Sequence, residues 1–127
     1  MLSENAEKYN DTLILVLLDG PYVSEYADIG YNLAKSALEN DYNVKIFLYM
    51  DGAHIPVKNQ DPRALPISSQ LYEDLIQKGC EIKVCIRCAA ARGHINESQY
   101  IEGVKITSVY DLAEWMENTD KIITLGG

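Results

Sequence analysis

Thr12-Leu13-Ile14-Leu15-Val16-Leu17-Leu18 is an unbroken apolar run with β-branched members, and the turn signal Asp19-Gly20-Pro21 ends it. A strand with one wet face alternates apolar and polar residues, whereas a run without a polar position must be covered on both faces. The stretch therefore predicts a central strand of a parallel sheet. It is far too short to span a bilayer.

Working outward, Ser24 predicts the N-cap of a helix through Glu39, in which Tyr26, Ile29, Leu33, Ala34, Ala37 and Leu38 recur at helical spacing. Val44 to Tyr49 predicts the second strand, ended by Asp51-Gly52. His54 to Leu65 holds two prolines and no period, and is expected to be a long loop. Ser68 or Ser69 should cap a helix carrying Leu71, Leu75 and Ile76, closed by Lys78-Gly79. Cys80 to Ile86 predicts the third strand, with a loop running on to His94. Asn96-Glu97-Ser98-Gln99 has the form of a capping box opening a short helix with Tyr100 and Ile101. Val104 to Ile106 follows as a short strand, Ser108 opens a helix with Leu112, Trp115 and Met116 on its apolar face, and Lys121 to Leu125 is the last strand. Strands alternating with helices imply βαβ units, hence an α/β class with a parallel sheet and helices on both faces.

At 127 residues and 47% hydrophobic content, one domain over residues 1–127 is expected, with residues 1–11 as a flexible polar lead-in. A formal charge of −8 with only 11 Lys and Arg argues against a nucleic-acid partner, since phosphate binding needs a basic surface. The lead-in lacks the apolar core of a signal peptide, so a cytoplasmic protein with no membrane association is expected. Three cysteines are an odd number for a disulfide framework, and reduced thiols are expected.

Chemistry concentrates in Val84-Cys85-Ile86-Arg87-Cys88-Ala89-Ala90-Ala91-Arg92-Gly93-His94. Two thiols, two guanidiniums and an imidazole gather where the third strand ends. A cysteine attacks as thiolate, and cations or free N–H groups beside it favour that form. Reactive groups in open α/β sheets collect beyond the carboxyl ends of strands. Asp19, Tyr22, Asp51 and His54, on the two neighbouring loops, are therefore possible members of the same rim. Cys80 lies five residues before Cys85 on the same strand, so alternation sends it to the opposite face, as a core residue.

Other chemistries fit less well. There is no Walker A pattern and no GxGxxG after the first strand. A structural zinc site would have to recruit Cys80, His94 or His54 to complete Cys85-x-x-Cys88, and no metal is expected. A thioredoxin-like motif belongs to a different topology. Reversible disulfide formation between Cys85 and Cys88 stays open, and so does inert packing of the cysteines.

Val84-Cys85 at the end of the third strand, the Ala-rich stretch and Arg92-Gly93 together resemble the DsrE/DsrF-like family, which includes TusD-type sulfur-relay subunits. Gly20-Pro21, Asp51-Gly52, Gly103-Val104 and Asp120-Lys121-Ile122-Ile123 extend the resemblance over most of the chain. It implies a three-layer α/β/α sandwich with a mostly parallel five-stranded sheet, and assembly into homo- or hetero-oligomers. It also implies that Cys85, matched by its spacing to Gly93, accepts sulfane sulfur as a persulfide from a donor protein and passes it to an acceptor protein, without a cofactor. Cys88 is additional to the TusD-like pattern, leaving open whether one thiol or the pair acts. Arg87, Arg92, Gly93 and His94 are the expected stabilisers of the thiolate. The rival readings are a non-catalytic oligomeric binding module and a Cys-x-x-Cys redox or metal-binding domain.

Overall fold

A computed structural model describes residues 11–127. All but the last residue of the expected lead-in, 1–11, lie outside the described residues. Five strands form one sheet: β1 (Thr12–Leu17), β2 (Asn43–Leu48), β3 (Glu81–Cys85), β4 (Lys105–Thr107) and β5 (Ile122–Leu125). Their order is β4-β3-β2-β1-β5, and every pairing is parallel. β1 is internal and buried along its whole length, as an apolar run without alternation requires.

Among the described residues, four α-helices cover the sheet: α1 (Tyr26–Glu39), α2 (Ser68–Gln77), α3 (Ile86–Ala91) and α4 (Val109–Met116). Leu17 and Leu48 stand side by side in register and share a face with Ile46. That face receives α1 and α2, which are tied together by the Tyr72 hydroxyl donating to the Ala27 carbonyl at 2.7 Å. Phe47 and Lys83 point the other way, under α4. There Trp115 meets Phe47 edge to face at 6.2 Å, and Lys83 pairs with Asp111 at 2.9 Å. The result is the three-layer α/β/α arrangement.

Three local expectations change. Ser68 is the first residue of α2 and makes no cap bond; its N–H is taken by the Tyr22 hydroxyl at 3.0 Å and that of Ser69 by Gln60 at 2.9 Å. Long-range partners satisfy the orphan amides that a local cap was expected to satisfy. Ser24 acts one step ahead of α1, accepting the Tyr26 N–H at 3.3 Å while donating to Asp19 at 2.8 Å. Asn96 and Gln99 do form a capping box, but it opens only a single 3₁₀ turn, Glu97–Gln99. Tyr100 and Ile101 then leave as extended chain, with Val57 bridging to Tyr100 and the Ile101 N–H donating to Pro56 at 3.0 Å. Gly79 has φ of +100°, the left-handed helix stop expected there.

Candidate functional site

β1, β2 and β3 end level with one another, because Leu17 pairs with Leu48 and Leu48 with Val84. Cys85 is the last residue of β3, and the chain turns at once into α3 with Cys85 as its cap residue. The expected loop after the third strand is therefore a short helix. Its Ala-rich sequence carries high helix propensity, and i,i+3 spacing returns Cys88 to the sheet side, where it is buried with Ala89.

A 3₁₀ turn, Met50–His54, follows β2 and packs on α3. Gly52 lets the two approach the sheet end: a Cβ there would be driven into the Leu17 carbonyl oxygen. Met50 itself takes φ of +50°, left-handed backbone that a non-glycine residue adopts only at a cost. The conformation aims its N–H at the Cys88 sulfur, 3.1 Å away.

Two more contacts fasten this turn to the thiol segment. Arg92 donates from Nε to the Asp51 carboxylate at 2.6 Å and from a terminal nitrogen to the Cys88 carbonyl at 3.0 Å. His54 Nδ1 and His94 Nε2 share a hydrogen bond at 2.9 Å. The His94 ring packs on Tyr100 at 5.6 Å, whose hydroxyl donates to the Ala53 carbonyl at 2.8 Å.

Electrostatically the site pulls in two directions. Burial raises the Cys88 thiol above its ordinary pKa; the Met50 N–H opposes this, the hydrogen-bonded Cys85 thiol reinforces it, and Arg92 opposes it. His94 is held below the ordinary imidazole value by burial, by His54 and by Arg92. Cys80, on the far side of β3, is pushed up to about 12 by burial and is a core residue.

The rim is smaller than the sequence suggested, and it is closed. Asp51 and His54 arrive beside the thiol segment, while Asp19 bonds Ser24 and the Gly127 N–H, and Tyr22 bonds Pro66 and Ser68. Arg92 lies against the site, whereas Arg87 is exposed and bonded to neither thiol. Gly93 (φ +83°) forms the turn after α3, its N–H directed to Ala90. His94 faces His54. A thiol that reacts with external partners needs access, yet Cys85 is 5% exposed and Cys88 7%. Helix α3 folds the segment back on the sheet end, and the Met50–His54 turn lies beside it.

Two contributors escaped sequence reading. The Met50 amide is a main-chain group with no side-chain signature, and Tyr100 reads as a helix-face apolar residue. Among the described residues, no three His, Cys, Asp or Glu side chains converge to hold a metal ion, and no helix is long and apolar enough to cross a membrane.

The model of the DsrE/DsrF-like family matches residues 11–125. The chain belongs to this family. Among its DsrE-like relatives, an uncharacterised protein of Methanopyrus kandleri is 36% identical over 113 residues, covering 89% of this chain and 93% of its own. Escherichia coli YchN is 27% identical over 114 residues, covering 88% and 97%. The YchN crystal structure matches this DsrE-like fold with a TM-score of 0.80 over 90% of the chain and 99% of YchN. DsrE of Allochromatium vinosum, named as a candidate sulfurtransferase, is 26% identical over 127 aligned residues, covering 88% and 96%. The DsrE-like fold expected from the resemblance is the fold found.

Proposed function

We propose that this protein is a sulfur-relay carrier that holds sulfane sulfur as a persulfide on Cys85. The Cys85 thiolate attacks the outer sulfur of a donor persulfide; the donor's S–S bond breaks and its thiolate departs. An acceptor thiolate then attacks the same sulfur, and Cys85 leaves as thiolate. Electrons balance in each exchange, so sulfur nucleophiles suffice.

The observation that carries this reading is the Met50 N–H directed at the sulfur of Cys88, with Arg92 beside it, at the carboxyl end of β3. A pair of thiols serving only as packing needs no hydrogen-bond donor and no guanidinium. Cys85 caps the helix that carries this supported thiol, which is why the loaded sulfur is assigned to it. The exposed apolar residues Met50 and Ile86 adjoin the buried thiols, a surface suited to donor and acceptor proteins or to subunits of a cytoplasmic oligomer.

One observation favours the rival reading. Cys85 and Cys88 are both buried, as cysteines with a packing role in an oligomeric module would be. The two readings part on sulfur transfer. Protein loaded with glutathione persulfide, desalted and mixed with a thiol acceptor should give up its added sulfur to that acceptor, and Cys85→Ser should not. A packing module gives no transfer above the Cys85→Ser background.

A further inference from the structure

Sulfur carriage as proposed uses one thiol, yet a second nucleophile is built against it. Cys88 sits one helical turn past Cys85, which caps the same helix, and both thiols are shut away from solvent. Side chains three apart on a helix have Cβ atoms roughly 5–6 Å apart. A disulfide needs about 3.5–4.5 Å. Cys85 is the extended cap residue (φ −64°, ψ 125°) and not part of the helix body, so a small swing of its side chain and the first turn closes that gap.

We infer that Cys88 discharges the Cys85 persulfide when no acceptor takes it, making the protein a sulfide-releasing persulfide reductase as well as a carrier. This rests on Cys85 being the loaded residue. The Cys88 sulfur attacks the Cys85 Sγ, the bond from that Sγ to the outer sulfur breaks, and the outer sulfur leaves as sulfide. Cys85–S–SH and Cys88–SH become the Cys85–Cys88 disulfide and H₂S: the sulfane sulfur is reduced, and the two cysteines supply its electrons. An external dithiol then returns the pair to thiols.

The geometry also sets the pace. Cys88 is held protonated by burial and by its neighbour, while the Met50 N–H at 3.1 Å steadies it once ionised. Attack by Cys88 must first shed that proton, so an acceptor that docks as thiolate is expected to react first. A loaded carrier left without a partner resets itself instead of retaining a reactive persulfide.

The test uses full-length protein, reduced, desalted and given glutathione persulfide. Released sulfide is measured against donor alone, and intact mass is followed in time. Wild type should release one equivalent of sulfide per chain and lose about 2 Da as the disulfide closes, whereas Cys88→Ser should keep a gain of about 32 Da and release none. If wild type holds the added sulfur as long as Cys88→Ser does, the discharge step is overturned while carriage at Cys85 stands. Failure of Cys88→Ser to gain sulfur overturns both. Sulfide release by Cys85→Ser at the wild-type rate overturns the assignment of roles.

Discussion

The main-chain N–H of Met50 donates to the Cys88 sulfur at 3.1 Å, from a residue whose backbone is in the left-handed region. Through that bond the end of β2 reaches over to the helix that follows β3. Together with Asp51–Arg92 and His54–His94, it ties the Met50–His54 turn to the thiol segment.

Loosening the turn should expose the thiols. Asp51→Asn weakens the ion pair to Arg92 but leaves the guanidinium beside Cys88. A partly exposed ion pair contributes at most about 1 kcal/mol, so alkylation by iodoacetamide should quicken by no more than roughly fivefold with the fold intact. Unchanged alkylation would show that the pair does not restrain the turn.

Gly52→Ala should be the most disruptive small change at the site, because the added methyl meets the Leu17 carbonyl oxygen, which is fixed in β1. Overpacking of this kind costs about 1–3 kcal/mol. Urea unfolding should show a loss in that range, and the Met50–His54 turn should shift away from α3. An undisturbed midpoint would mean that the turn has room the structure does not show.

Alkali should destabilise the protein through its buried thiols. Cys80 is raised from 9.0 to about 12, so the folded state keeps a proton that the unfolded state releases. The stability this contributes is whole below pH 9 and is lost as pH climbs towards 12. Cys80→Ala should lower stability at neutral pH but flatten its decline between pH 9 and 11, measured by urea midpoints. An equally steep decline would place the linkage elsewhere.

Acid should act through His94. His94 is held below 6.5, so its neutral form supports the fold above that pH, and the support is lost as pH falls. An NMR titration should find the His94 midpoint below 6.5, moving upward in His54→Ala. A midpoint at or above the ordinary value would contradict the burial of His94 beside His54 and Arg92.

The sheet was legible because its central strand β1 is an uninterrupted apolar run, Asp51-Gly52 marks the stop after β2, and Gly79 marks the helix stop before β3. Cap positions were not. Ser68 and Ser69 look like caps, but Tyr22 and Gln60 come from distant segments to take those amides. Of the site, Cys85, Cys88, Arg92 and the Asp51–His54 loop could be read from the spacing of loops around one sheet edge. Helix α3 was missed because four consecutive Ala and Cys residues after a strand carry no amphipathic period over so short a span. The burial of Cys85 follows from that helix and from a turn contributed by β2, a packing relation that periodicity along one segment does not encode.

The central claim is that sulfur rides on Cys85. Cys88→Ser protein incubated with glutathione persulfide, desalted, capped with an alkylating agent and digested should yield the peptide bearing Cys85 with one additional sulfur, about 32 Da, that reductant removes. Added sulfur found only on Cys80, or on no cysteine, would contradict the account.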